Sequence, residues 1–305
     1  MRQLFRGRSR AILAVLALAV APLVGLVGQT PASAATVQPY GLYQSGNNLN
    51  YTIGTSTEYA GAIQYYGWSE DPQSTEISAL PTTVTPFLEM QTCGNPCDTA
   101  TSIPLTSITD GSYDTYLTTF ASDIASLGRH VFLTWDHEQN GSWYPWNATD
   151  GGTSTGVTAA DWITTWNYVT KKIDANATAK SLITWIWAPN IEQGGSAVSA
   201  YWTSGGVTVA NVGAVGLDGY YVNTGTTWAN RFASSYTDVE KASASKYPFY
   251  VTETGIPPGD SNATTQESNL ITGAEGVKAK MVFYFDSGSY VMTSAMESAW
   301  LTDVK

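Results

Sequence analysis

Residues 129–146 read Arg-His-Val-Phe-Leu-Thr-Trp-Asp-His-Glu-Gln-Asn-Gly-Ser-Trp-Tyr-Pro-Trp. The run from His130 to Trp135 is apolar, of strand length and rich in β-formers. It stops at Asp136-His137-Glu138, and Asn140-Gly141 signals a turn. Trp143, Tyr144, Pro145 and Trp146 then follow in the loop. A strand that ends in acids and spills into aromatic rings suits a polysaccharide cleft. Sugars stack their flat C–H faces on rings, and cleavage of their acetal bond needs a proton donor.

Seven further runs resemble His130–Trp135. They are Pro39–Tyr43, Ala60–Tyr66, Pro86–Met90, Leu182–Trp187, Val212–Tyr221, Phe249–Thr252 and Met281–Phe285. Between them lie amphipathic stretches. In 113–127, Tyr113, Tyr116, Leu117, Phe120, Ile124 and Leu127 recur at three and four residues, and Trp162, Trp166, Val169 and Ile173 do so in 161–173. Weaker helical patterns cover 226–244 and 264–278. Strands alternating with helices predict a parallel sheet, and eight units of about 34 residues predict a (β/α)₈ TIM barrel. An open doubly wound sheet binding a nucleotide would need a Gly-rich phosphate loop after its first strand, which the sequence lacks.

The N-terminus carries Arg2, Arg6, Arg8 and Arg10, then an apolar run from Ala11 to Val27, then Pro31-Ala32-Ser33-Ala34. This order predicts a secretory signal peptide over residues 1–34, cut after Ala34, and a single catalytic domain over 35–305. A retained membrane anchor is the competing reading, which the Ala-x-Ala exit disfavours. Without those four arginines, 10 basic residues face 25 acidic ones, a net charge of about −15. Such a surface argues against nucleic acid or an anionic membrane as partner and points to neutral or cationic substrates. The 11 Trp and 18 Tyr are a heavy aromatic load, at least half of it expected in the core. Cys93 and Cys97 predict a small structural disulfide in a secreted chain.

In a barrel, reactive groups stand at the C-terminal ends of strands. That rule selects Asp136, His137 and Glu138 on the fourth run and Glu253 on the seventh, with Asn190 and Trp187, Asp218 and Tyr220, and Asp286 on others. Glu253 lies a little over three units after Glu138, as strands four and seven require. Alone, each glutamate is an ordinary strand-end carboxylate. Together across one mouth they meet the requirement for glycosidic hydrolysis, one donating a proton and the other attacking or activating water.

The segment from His137 to Trp146 resembles the acid/base segment of glycoside hydrolase family 26, (β/α)₈ enzymes that include β-mannanases with some β-1,3-1,4-glucanases and xylanases. Residues 250–255, Tyr-Val-Thr-Glu-Thr-Gly, are similar to that family's nucleophile strand; 185–190 and 216–220 more weakly resemble its fifth and sixth strands. The resemblance implies Glu138 as general acid/base and Glu253 as nucleophile of a retaining double displacement. It further implies His137, Trp143 and Tyr220 around the sugar at the cleavage point, with Tyr220 hydrogen-bonded to the nucleophile. Trp187 and Trp68 are candidate sugar platforms, each equally readable as core. Three departures stand out: Gln139 replaces a usual methionine, Thr134 and Trp135 occupy the strand where many members place an arginine, and Phe283-Tyr284-Phe285 replace a tryptophan floor.

The expectation is therefore a secreted, monomeric, cofactor-free and metal-free retaining endo-β-glycanase with an open groove, mannan first among its neutral polysaccharide substrates, then mixed-linkage glucan or xylan. A non-catalytic carbohydrate-binding barrel is the rival of another class. A metal hydrolase built on Asp136 and His137 lacks a second histidine at the same end, since His130 begins its strand.

Overall fold

In the structure, a computed structural model, residues 39–44, 59–72, 74–94, 102–147, 157–193 and 195–304 are described. The proposed signal peptide and Cys97 lie outside them. Residues Ala35–Lys305 form one compact unit. The strands are β1 (Tyr40–Gln44), β2 (Gly61–Tyr66), β3 (Thr85–Met90), β4 (Val131–Trp135), β5 (Ile183–Trp187), β6 (Thr203–Ser204), β7 (Val207–Thr208), β8 (Ala214–Tyr220), β9 (Phe249–Gly255) and β10 (Val282–Asp286). The α-helices are α1 (Ser74–Ala79), α2 (Leu105–Thr109), α3 (Asp114–Leu127), α4 (Ala159–Ile173), α5 (Ala177–Leu182), α6 (Trp228–Arg231), α7 (Ala233–Ser243), α8 (Ala263–Gly276) and α9 (Ser294–Asp303).

Eight strands close into one parallel barrel in the order β1-β2-β3-β4-β5-β8-β9-β10, with β10 returning to β1. The chain is a (β/α)₈ barrel, and all eight apolar runs of the sequence are its strands. Among the described residues, the unit after β5 departs from the ideal. Between β5 and β8 the chain makes a 3₁₀ turn (Val198–Tyr201) and the β6–β7 hairpin rather than an α-helix.

Every barrel strand is buried on both faces, so its pattern is a continuous apolar run rather than an alternation. The inward positions still form their own cluster: Ile63, Phe87, Phe132, Ile186, Tyr250 and Phe283 fill the barrel. Phe283 needs room. A Cβ on Gly41 would lie 2.2 Å from its ring and one on Gly61 2.5 Å, so neighbouring strands tolerate only glycine there. Outward positions such as Leu42, Leu88, Leu133, Val215 and Val251 meet the helix layer. There α3 buries Leu117, Phe120, Ala121 and Ile124, and α4 buries Trp162, Ile163, Trp166, Val169 and Ile173, each set one stripe of a 3.6-residue period. α3 ends at Gly128 in the left-handed conformation, and α4 begins with a Thr158–Asp161 capping box.

Candidate active site

The C-terminal ends of the strands gather the polar groups. β4 ends in Asp136, whose carboxylate accepts from Thr92 N and Oγ1, both at 2.8 Å, and thereby turns away from the barrel mouth. Burial pushes its pKa to about 8 against those two bonds. Asp136 and Glu138 both hold positive φ, 46° and 50°. This is uncommon for side-chain-bearing residues and clusters at functional sites. The kink is anchored by Glu138 N donating to Ala188 O at 2.8 Å, Trp146 Nε1 to His137 O at 2.8 Å and Asn147 Nδ2 to Glu138 O at 2.9 Å.

Glu138 is buried, with both oxygens engaged. Trp143 Nε1 donates to Oε2 at 2.6 Å, and Asn190 Nδ2 donates to Oε1. Trp143 is also 47 % exposed, whereas Trp135, Trp146, Trp162, Trp166 and Trp187 are wholly buried. One ring therefore touches the acid and faces solvent. Asn190 is in turn fixed by Asn140, whose side chain accepts from Asn190 N at 2.8 Å and donates to Asn190 O at 2.7 Å and Ser196 O at 3.0 Å.

Glu253 reaches the same space by a backbone irregularity. Tyr250 points into the barrel and Val251 outward, so strict alternation would send residue 253 toward the helices. The pairing of β9 slips here. Leu217 faces Val251 but Asp218 faces Glu253, and the register against β10 shifts over the same residues. This bulge turns Glu253 inward. Tyr220 donates its hydroxyl to Oε1 and Tyr65, from β2, donates to Oε2. Burial, then the charges of Glu89 and Glu138, push the Glu253 pKa to about 8. Burial likewise raises Glu138 and lifts Asp218 well above the carboxylate range.

His137 is 1 % exposed, with Nδ1 3.0 Å from a Glu89 oxygen and Nε2 3.3 Å from the Tyr144 hydroxyl. Glu89, His137 and Glu253 offer ligand-type atoms within 4.8 Å of one another, the one such group among the described residues. Within it Glu89 stands 3.0 Å from His137, and Glu253 accepts from two phenols. His130 stands at the far end of β4, against Thr184 Oγ1 at 2.9 Å.

Two expected sugar platforms are corrected. Trp187 is fully buried on the outer face of β5, edge-on to Trp202, with Gln139 bridging its Nε1 (2.9 Å) and Ala188 O (3.1 Å). Since neighbouring Ile186 points into the barrel, residue 187 must point out. Trp68 is 7 % exposed and packs on Tyr113 and Tyr116 at 5.3 and 5.0 Å. Neither ring offers a free face. Open aromatic surface lies elsewhere. Half-buried Tyr43 stacks on Phe285 at 4.8 Å, Tyr65 meets Tyr43 edge-on at 4.9 Å, and Tyr220 meets Tyr290 at 4.4 Å. Sequence reasoning missed Tyr65 and Glu89. A lone acid within the apolar run Thr85–Met90 was the available signal for Glu89.

Known structures share this architecture. The chain aligns with a family 26 β-mannanase from Bacteroides ovatus at a TM-score of 0.62 and 14 % identity, covering 88 % of each chain. The chain has the fold of the glycoside hydrolase family 26 β-mannanases. A modular endo-β-1,4-mannanase from Cellulomonas fimi aligns at 0.59 and 14 % identity, over 87 % of this chain and 70 % of that one. The family 26 domain of an endo-β-mannanase/endo-β-glucanase from Prevotella bryantii aligns at 0.58 and 11 % identity, over 88 % and 89 %. By sequence, Endoglucanase H of Acetivibrio thermocellus is 28 % identical over 127 residues, 42 % of this chain but only 13 % of that enzyme's length. No protein-family model matches the sequence. Among the described residues, no helix is long and apolar enough to cross a membrane.

Proposed function

We propose that this chain belongs to glycoside hydrolase family 26 and is a secreted, retaining endo-β-glycanase, with Glu138 as general acid/base and Glu253 as nucleophile. One observation carries the reading. Two glutamates from β4 and β9 are turned into one barrel mouth by a left-handed kink and a bulge, and each has both oxygens held by directed donors. Backbone outliers of this kind cluster at functional sites. Retention needs the two carboxyls about 5 Å apart, one protonated and one ionised. Burial and the neighbouring carboxylates raise both glutamates, so the two resist ionising together; this reading puts the shared proton on Glu138 and the charge on Glu253 in the reacting complex. Glu253 attacks the anomeric carbon while Glu138 gives its proton to the leaving oxygen, and water then reverses the roles. Trp143 contacts the sugar, His137 stands behind that site against Glu89 and Tyr144, and the Cys93–Cys97 disulfide pins the loop after β3.

The preferred substrate is β-1,4-mannan. Mixed-linkage β-glucan is the second reading, supported by the stretch similar to an endoglucanase and by Phe285 where many such barrels carry tryptophan. The deciding experiment assays the purified chain on mannan, mixed-linkage glucan and xylan with product sizing. Glu253→Ala should abolish turnover with folding intact, and azide should restore a product of inverted configuration. Turnover that survives this substitution sinks the nucleophile assignment. Carbohydrate binding without turnover by the wild-type chain would establish the non-catalytic reading instead.

A further inference from the structure

The exposed large apolar side chains among the described residues are Trp143, Val222 and Val291. All three follow the C-terminal end of a barrel strand, β4, β8 and β10 respectively. β4 and β10 stand across the barrel from each other, with three strands between them in either direction. The rim opposite Trp143 is therefore the loop after β10, where Tyr290 precedes Val291. That loop makes a 3₁₀ turn over Gly288–Tyr290, pinned where Tyr290 N donates to Ser287 O at 3.0 Å and Met292 N to Asp286 Oδ1 at 2.7 Å. The half-buried Tyr290 ring then passes over Gly255 at the end of β9 and packs on Tyr220 of β8, with centroids 4.4 Å apart. A Cβ on Gly255 would lie 2.8 Å from Tyr290 Cβ and Cγ and 3.0 Å from Tyr220 Cδ1. The glycine two residues after Glu253 thus makes the space in which this ring is seated.

The other phenols of the mouth are engaged. Tyr65 and Tyr220 donate to Glu253, and the Tyr144 hydroxyl meets His137. Tyr220 is fixed at its other end too, since its carbonyl accepts from Arg231 Nε at 2.5 Å. The Tyr290 hydroxyl, by contrast, has no hydrogen-bond partner among the described residues. Its surroundings are those of the site: burial raises its pKa, Arg231 lowers it, and Glu253 and Glu138 raise it further. It therefore stays a neutral phenol, able both to donate and to accept. We propose that Tyr290 is a specificity-determining residue: with its ring seated on Gly255 and Tyr220, it hydrogen-bonds a sugar hydroxyl of the polysaccharide from the rim opposite Trp143. The proposal rests on the functional reading above for its effect on turnover, and on the placement of Tyr290 for the contact. A single fixed hydroxyl reads stereochemistry. Mannose and glucose differ in the orientation of one hydroxyl, and xylose lacks a hydroxymethyl group. A site that hydrogen-bonds one sugar hydroxyl rejects a sugar without it there, because its own polar group is left unpaired.

The test compares the wild type with Tyr290→Phe, which keeps the ring and its packing and removes only the oxygen. kcat/KM is measured on mannan, mixed-linkage glucan and xylan, with the melting temperature as the check on folding. Tyr290→Phe should lower kcat/KM on the preferred polysaccharide by about fivefold or more and by less on the poorer substrates, at an unchanged melting temperature. A ring that serves packing alone would leave the Phe variant equal to the wild type, and that result overturns the contact. Equal losses on every polysaccharide overturn the part in specificity. Binding of β-1,4-linked manno-, gluco- and xylo-oligosaccharides is measured by calorimetry in parallel, in Glu253→Ala with and without Tyr290→Phe, so that no turnover is needed. The tightest-binding oligosaccharide should bind about fivefold or more weakly without the hydroxyl. A wild-type chain without turnover would defeat the functional reading, while the binding arm would still decide the contact. Equal binding with and without the hydroxyl, or no binding of any of the three, rejects it.

Discussion

Trp143 joins two jobs that are usually separate, since its indole N–H is on the Glu138 carboxylate at 2.6 Å and its ring is half open to solvent. A hydrogen bond to the charged form of an acid lowers its pKa, so this contact opposes the burial that raises Glu138. Trp143→Phe keeps a ring and removes the donor. The Glu138 pKa should then rise, and the alkaline limb of kcat/KM should move to higher pH while kcat falls by less than about tenfold. A pH–rate profile that stays in place would show that the N–H does not tune the acid. Glu138→Ala should slow substrates with poor leaving groups far more than activated aryl glycosides, because only the former need a proton delivered. Equal losses on both would remove the donor role. His137 drew notice because it sits beside Glu138 at a strand end, and Trp143 and Tyr220 through the family resemblance; the structure hydrogen-bonds the latter two to Glu138 and Glu253. Tyr65 was not legible, because an aromatic inside a strand looks alike whether it serves packing or chemistry, and Glu89 was marked only by being a lone acid in an apolar run.

At the level of elements, the site depends on ties between loops. Asn140 sits in the turn after β4, yet its buried side chain makes three hydrogen bonds to the segment after β5, and its own carbonyl accepts from Ser196 N at 2.6 Å. That network holds Asn190 against Glu138. Asn140→Ala leaves Asn190 N, Asn190 O and Ser196 O without this partner and should cost about 2–4 kcal/mol in urea unfolding, with a loss of kcat from the released Asn190. Gly195 packs so closely that a Cβ would lie 2.4 Å from Asn140 O, so Gly195→Ala should disturb the same tie from the opposite side. Asn140-Gly141 was readable as a turn, but not as a clamp. The helical spans were readable too: α3 and α4 follow their apolar stripes to within two residues. The β6–β7 hairpin escaped notice because strands of two residues carry no periodicity.

For the whole molecule, buried ionisable groups set the pH dependence of stability. Burial raises the folded-state pKa of Asp136 to about 8, of Glu253 to about 8 and of Glu267 to about 9, and the His137 pKa stands at about 9. In each case the folded state holds its proton more tightly than the unfolded chain. The stabilisation is therefore complete below the unfolded pKa values and is lost as pH rises through the folded ones. Surface Asp110 and Asp114 act oppositely, their lowered pKa values favouring the fold above the acid range. The melting temperature should peak near about pH 5 and fall steadily toward pH 9. A flat or rising curve over that interval would contradict the assignment. Glu267 gives the cleanest test, being 0 % exposed on α8, which packs against α9, with neither oxygen hydrogen-bonded to a described residue. Glu267→Gln should raise the melting temperature at pH 8 and make little difference at pH 5.

What the sequence determined by itself was local and periodic. Eight apolar runs at even spacing, two amphipathic stripes and acids at the ends of runs four and seven sufficed for a barrel and a two-glutamate hypothesis. Which way each side chain faces was decided only on closure. Trp187 lies outward because Ile186 fills the barrel, and Glu253 lies inward because β9 gains a residue against β8 and β10. Facing in a strand is a parity, fixed by contact with neighbours, and one inserted residue reverses it. A parity of that kind is a property of the closed sheet and is not written in any single segment.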